Sequence, residues 1–138
     1  MLVDNKDNNT AGTKPVSAHV TVPDEALPAY AGRPAPFLPR HLRARLRGAD
    51  IVFFDGTLWT DDEMLRAGVG QKTGQRMGHM SVSGADGTIS ALSDLEIGQK
   101  ILIHINNSNP VLLADSPERA AAHAAGWDVA FDGMRITA

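Results

Sequence analysis

Two residues that commonly bind metal ions, Asp55 and His104, lie at or near the ends of short apolar runs. Asp55 follows the apolar residues 51–54, and His104 lies near the end of a second run, residues 101–105. If the two runs are neighbouring parallel strands, both side chains emerge at one edge of a sheet, where α/β proteins bind ligands. A carboxylate and an imidazole there suit zinc, iron or manganese. On spacing alone, a turn aspartate and a core histidine remain the alternative.

Two loops supply further candidates. His79 ends the glycine-rich stretch 68–80, where backbone freedom lets a side chain approach a substrate; a surface histidine is the alternative. The second loop, residues 106–109, follows His104 and is rich in side-chain amides, with Asn106 and Asn107 first. Such turn-forming residues at the end of a buried strand predict a binding site. Thr57, next to Asp55, either supports such a site or packs locally.

The pattern of apolar and capping residues predicts the elements that hold these side chains. Strands are expected over 50–54 and 100–105, in a mixed or parallel sheet, with a terminal β-hairpin of 127–131 and 134–137. Helices are expected over 40–47, 61–67, 86–95 and 116–125. Thr60 and Glu63 fit a capping box for the second helix, and Ser116 and Pro117 fit the start of the last. The predicted fold class is α/β.

Composition narrows the range of functions. A chain of 138 residues predicts one domain, and a net charge of −3 argues against nucleic acid as a partner. Without cysteine, disulfides and cysteine-based zinc sites are excluded, and no apolar run is long enough for membrane insertion. The cytoplasm is the expected location. Six of the eight prolines fall within residues 1–39, which predicts a mostly disordered or irregular arm with one possible strand at 17–22.

Five motifs carry a resemblance to a known family. Residues 53–59, 77–81, 103–110, 115–120 and 131–134 resemble, in this order, the C-terminal part of the pyrroloquinoline quinone (PQQ) biosynthesis protein B (PqqB) family. That family is similar to the metallo-β-lactamase superfamily, whose fold is an αββα sandwich. The resemblance implies that residues 40–138 form a partial domain of this kind, the C-terminal half of the sandwich, with a mixed sheet and helices on one face.

The resemblance also implies roles for individual residues. Asp55 matches a late metal-ligating aspartate and His104 the last metal-ligating histidine of the superfamily. His79 matches a histidine that lies beside the substrate and can move protons, a task that suits its near-neutral pKa range. Asn106 and Asn107 would bind the substrate or cofactor. The implied cofactor is a divalent metal, iron or zinc, and iron suits oxidation because zinc has no redox chemistry.

The implied function is metal-dependent oxidation, most directly hydroxylation, of the Glu-Tyr-derived precursor of PQQ. A carrier that moves PQQ or its precursor toward the periplasm, and an inactive truncated remnant, are the alternatives. The early ligand cluster of the family has no counterpart in residues 1–40. We therefore expect an incomplete metal site, an apolar sheet face left bare, and a need for another chain that supplies the missing N-terminal half.

Overall fold

The computed structural model describes residues 15–18 and 38–137, which form a four-stranded sheet with helices. The strands are β1 (Pro15–Ala18), β2 (Ile51–Asp55), β3 (Gln99–Ile103) and β4 (Trp127–Val129), in the order β1-β2-β3-β4. All three pairings are parallel, so the mixed sheet is not seen among the described strands. The α/β class is confirmed. The carboxyl ends of β2 and β3 meet at one edge, because Asp55 lies opposite Ile103.

Within the described residues, four α-helices and two 3₁₀ turns lie between the strands. The helices are α1 (Arg40–Leu46), α2 (Glu63–Arg66), α3 (Thr88–Ala91) and α4 (Pro117–Ala124), and the turns are Gln75–Met77 and Pro110–Leu112. The predicted start of α4 is confirmed, since the Ser116 hydroxyl accepts a hydrogen bond from the Arg119 amide at 3.0 Å and Pro117 comes first. Among the described helices, none is long and apolar enough to cross a membrane.

The hydrophobic core lies on one face of the sheet. Phe54 and Trp127 are both buried and meet edge to face, with ring centroids 6.3 Å apart. Helix α3 is shorter than the predicted 86–95, but Leu92 and Leu95 just after it are buried as its apolar face predicts. The apolar side chains of this core cluster include Leu42, Leu46, Val52, Phe54, Leu92, Leu95, Leu102, Val111, Trp127 and Val129.

The opposite face of the sheet carries the alternate residues of β2 and β3. Ile51 and Ile101 on this face are 5% and 0% exposed, and Phe53 and Ile103 are half-buried. At these four positions the face is not the bare apolar surface that the sequence led us to expect. The predicted arm, residues 1–39, and the end of the predicted strand at 17–22 lie mostly outside the described residues.

The predicted terminal hairpin is wrong. Residues 127–129 do form a strand, but they pair in parallel with β3, and residues 134–137 form none. Phe131, Asp132 and Gly133 are exposed, and no side chain of 131–137 is fully buried. Because no buried face fixes the register of this segment, nothing favours a second strand over a turn.

The predicted capping box at the start of α2 is also wrong, and the helix spans four residues instead of 61–67. The carboxylate of Glu63 accepts a hydrogen bond from the Trp59 amide at 2.6 Å, not from Thr60. The Thr60 hydroxyl accepts one from the Arg66 guanidinium. Glu63 is only 7% exposed, and its second oxygen accepts a hydrogen bond from Ser108, a partner 45 positions away that a local pattern does not reveal.

An ion pair between Arg43 and Asp94 ties α1 to the segment after α3, and it lowers the pKa of Asp94 below its ordinary 3.8. A carboxylate with a lowered pKa stabilises the fold above its unfolded-state pKa, and this contribution disappears as the pH falls through the folded-state value. We expect Asp94→Asn to lower the melting temperature at pH 7, with the difference from the parent shrinking as the pH falls through the lowered pKa of Asp94. Thermal unfolding at several pH values tests this, with Asp86→Asn, another exposed aspartate, as the control. A pH-independent difference would contradict it.

Candidate metal centre

Asp55 ends β2 with its side chain 1% exposed at the carboxyl edge of the sheet. The next residue, Gly56, lets the chain stay close to β3: its amide donates to the Ile103 carbonyl at 2.8 Å. A Cβ at this position would lie 3.0 Å from the Leu102 Cβ. The Asp-Gly sequence therefore reflects a close approach of two strands, and it holds the Asp55 carboxylate beside the end of β3.

His104 follows β3 in a left-handed backbone conformation. Among the residues that the structure describes, His104 is the only non-glycine residue with a positive φ, +54°. The left-handed region costs a residue with a side chain about 1 to 2 kcal/mol. Thr57 holds this turn in place, since its hydroxyl lies 2.9 Å from the His104 carbonyl oxygen and its carbonyl accepts from the Asn106 amide at 3.1 Å. The turn brings His104 Nδ1 to 3.3 Å from Asp55 Oδ1.

His79 reaches the same place from the glycine-rich loop. Its amide donates to the Gly74 carbonyl at 2.9 Å, which closes the turn around Gln75–Met77. Its Nδ1 lies 2.9 Å from Asp55 Oδ2, at hydrogen-bond distance. The His79 and His104 rings stack with centroids 5.4 Å apart. The His79 side chain is 15% exposed and that of His104 57%, so the centre opens to solvent on the His104 side.

The Thr57 hydroxyl lies among all three of these side chains. Its Oγ1 is 2.5 Å from Asp55 Oδ1, 2.7 Å from His104 Nδ1 and 3.2 Å from His79 Nδ1. A hydroxyl has one hydrogen to donate and two lone pairs to accept with, so it can serve both the carboxylate and the rings. Thr57 therefore fixes the spacing of the three side chains, the supporting role that the sequence left open.

The three side chains fit a divalent metal ion. Asp55, His79 and His104 each offer one ligand atom, and these atoms all lie within 4.8 Å of one another. Three protein ligands are the number that catalytic zinc sites use, and two histidines with one carboxylate are also the set of non-haem iron oxygenases. The sequence predicted two of these residues as ligands, and the structure brings the third beside them.

Asn106 and Asn107 lie in the loop that follows His104. The Asn106 side-chain amide donates to the Ser108 hydroxyl at 2.7 Å, and Asn107 is exposed. The buried Asn109 joins the loop to β2, since its side-chain amide donates to the Gly56 carbonyl at 2.8 Å. Asn109 and Asn106 thus hold the loop itself, and the binding role of Asn106 and Asn107 stays a prediction.

The backbone of His104 leads to a stability prediction. We expect His104→Gly to be more stable than His104→Ala by about 0.5 to 1 kcal/mol, because glycine adopts positive φ without a steric penalty. At Asn107, which lacks a positive φ, the order should reverse. Urea denaturation of the four variants measures both differences. Equal stabilities of the two His104 variants would show that the turn relaxes when the imidazole is removed.

Comparison with known proteins identifies the family to which the fold belongs. A family model described as a beta-lactamase superfamily domain matches residues 8–105, more than half of the chain. The chain belongs to the beta-lactamase superfamily. Within the superfamily, it is 82% identical over 96 residues to the coenzyme PQQ synthesis protein B of Gluconacetobacter diazotrophicus, covering 70% of this chain and 31% of that protein. It is 67% identical over 96 residues to that of Xanthomonas campestris, covering 70% and 32%.

A solved structure also supports membership of this superfamily. The crystal structure of Zn(2+)-bound PqqB from Methylobacterium extorquens is 43% identical, with a TM-score of 0.76 over 91% of this chain and 40% of that one. The resemblance to the PqqB family and the metallo-β-lactamase fold are thereby confirmed. The chain spans about a third of the length of the curated relatives it matches.

Proposed function

We propose that Asp55, His79 and His104 hold a divalent metal ion and that the protein takes part in PQQ biosynthesis. The observation that carries the proposal is the convergence of one carboxylate and two imidazoles within 4.8 Å. The names of the relatives, coenzyme PQQ synthesis protein B, support the pathway, and the zinc-bound title of the M. extorquens structure supports a metal. Asp55 anchors the centre, because it is buried and lies within hydrogen-bond distance of both histidines.

The reaction we propose is oxidation, most directly hydroxylation, of the tyrosine-derived ring of the Glu-Tyr precursor of PQQ, with dioxygen as the oxidant. One oxygen atom forms the new C–O bond, and the other leaves as water with two electrons and two protons from an external reductant. Iron would supply redox chemistry that zinc lacks. The exposed side of His104 gives the substrate access, and the loop that holds Asn106 and Asn107 begins on that side. His79 is the third ligand in this proposal. The proton-carrying role predicted from the sequence is the alternative for this residue.

The two roles of His79 differ in what its removal does. If His79 is a ligand, His79→Ala weakens metal binding as strongly as His104→Ala. If it only moves protons, His79→Ala keeps the metal and loses turnover. Equilibrium dialysis against zinc and against iron(II), under anaerobic conditions, separates the two roles.

We propose further that activity requires the portion of the relatives that this chain does not match, in a longer form of the protein or on a second chain. The test is PQQ formation in a bacterium that lacks its own coenzyme PQQ synthesis protein B. This chain is expressed alone and together with the unmatched portion of the G. diazotrophicus relative. We expect PQQ only from the pair, and loss of PQQ in the Asp55→Ala/His104→Ala double variant.

Two results would contradict this function. PQQ formation by the pair that survives the double variant would exclude chemistry at this centre. Binding of PQQ by the purified double variant, together with such survival, would favour the carrier function instead. Formation of PQQ by this chain alone would refute the requirement for a further portion.

A further inference from the structure

Glu63 is a buried carboxylate close to the candidate centre in the fold but not part of it. Its side chain is 7% exposed, and both of its oxygens accept hydrogen bonds. A carboxylate is costly to bury unless such bonds compensate for lost water. Hydrogen bonds to an ionised acceptor are about twice as strong as neutral ones. Glu63 therefore holds together the segments whose residues donate hydrogen bonds to it.

One of these segments is the loop that carries His104. The Ser108 hydroxyl donates to Glu63 Oε1 at 2.5 Å, across 45 positions of the sequence. The Asn106 side-chain amide in turn donates to the Ser108 hydroxyl at 2.7 Å. Two residues of the loop, two and four positions after His104, are thus held by one carboxylate.

The other segment follows β2. The Trp59 amide donates to Glu63 Oε2 at 2.6 Å. Trp59 is two residues after Thr57, whose hydroxyl and carbonyl hold the strained turn at His104. Glu63 therefore joins the segment of Thr57 to the loop of His104.

We infer that Glu63 is a positioning residue for His104 and acts through Ser108. His104 has an unfavourable backbone conformation and a half-exposed side chain, so its own packing holds it weakly. The hydrogen bonds that Glu63 accepts supply the restraint that keeps the His104 ring facing Asp55. Groups that orient a metal ligand typically change metal affinity by 10- to 100-fold when they are removed.

The first test uses the metal-free protein and does not depend on the proposed function. We expect Glu63→Ala to shift and broaden the NMR signals of the His104 ring and to leave those of His79 nearly unchanged. Glu63→Gln keeps an acceptor for the Trp59 amide and places an N–H donor where Glu63 Oε1 accepts from the Ser108 hydroxyl. The link to Ser108 then persists with its direction reversed, so this variant should restore the parent His104 signals. Ser108→Ala should perturb His104 in the same way as Glu63→Ala. Unchanged His104 signals in both alanine variants would overturn the inference.

The second test measures affinity for Co²⁺ from its visible absorption, and this readout rests on the proposed metal centre. We expect Glu63→Ala to bind Co²⁺ about 10-fold or more weakly, and Glu63→Gln to stay within about threefold of the parent. Ser116→Ala is the matched control, because it also removes a buried, hydrogen-bonded polar side chain, the cap of α4. Its Co²⁺ affinity should not change.

The outcomes separate the two proposals. A parent protein that binds no Co²⁺ would refute the metal centre, and the ring signals of His104 would still decide the role of Glu63. A parent that binds Co²⁺ with an affinity equal to that of Glu63→Ala would overturn the positioning role and leave the metal centre standing. Equal weakening in Ser116→Ala and Glu63→Ala would also overturn it, because lost stability would then account for both.

Discussion

Replacing Asp55 by alanine is expected to weaken binding of zinc or iron(II) by more than about 100-fold. Removal of a group that merely orients a ligand already costs 10- to 100-fold, and Asp55 contacts every other member of the centre. Its carboxylate lies 2.9 Å from His79 Nδ1, 3.3 Å from His104 Nδ1 and 2.5 Å from Thr57 Oγ1. Without it, the two imidazoles lose both a potential ligand partner and the group that orients them.

Dialysis against buffered metal, followed by elemental analysis, measures this effect. The matched control is Asp128→Ala, which removes an exposed aspartate whose Oδ1 lies 3.8 Å from the Nδ1 of His123 on the protein surface. We expect the control to bind metal like the parent. An Asp55→Ala variant that keeps the metal stoichiometry and affinity of the parent would show that the ion binds elsewhere. The variant should also lose about 1 to 3 kcal/mol of stability, because buried partners of the carboxylate are left unsatisfied.

Replacing Phe54 by alanine should have the largest effect on stability, about 3 to 5 kcal/mol. Phe54 is 0% exposed, lies in the core between the helices and the sheet, and meets Trp127 edge to face. Alanine leaves a cavity that the surrounding parallel strands cannot close without moving β2. A loss of this size is a large part of the 5 to 15 kcal/mol that stabilises a typical domain.

Chemical denaturation with guanidinium chloride tests this prediction, with Phe131→Ala as the matched control. Phe131 is 63% exposed, so its truncation should change stability by less than about 0.5 kcal/mol. Similar losses in the two variants would mean that Phe131 is covered in solution or that the core repacks around residue 54.

The sequence was informative where a local pattern determines the structure. The apolar runs before Asp55 and around His104 predicted two strands, and their parallel pairing brings the two side chains to 3.3 Å at one edge. The serine-proline start of α4 also follows from local chemistry, because the cap uses a donor three residues away. The metal-binding role of Asp55 and His104 stays a prediction.

Other features depend on contacts that no local pattern contains. His79 reaches Asp55 only because a glycine-rich turn folds back over 24 residues, and glycines allow many paths. The Thr60–Glu63 spacing fits a capping box, but a serine 45 residues away uses that carboxylate instead. The left-handed turn at His104 is closed by the Asn106 amide, which donates to the carbonyl of the distant Thr57. In each case a long-range partner outweighs the local preference.

The three candidate ligands all come from β2, β3 and the crossover between them, and α4 and β4 contribute none of them. Metal binding therefore stabilises states in which β2, β3 and the segment between them are folded. It does so whether α4 and β4 are folded or not. Amide hydrogen exchange should then slow on metal addition within residues 51–106. The amides of α4 and β4 should exchange at unchanged rates wherever these two elements unfold independently of residues 51–106. The domain would then consist of two cooperative units, of which only one is stabilised by the ion.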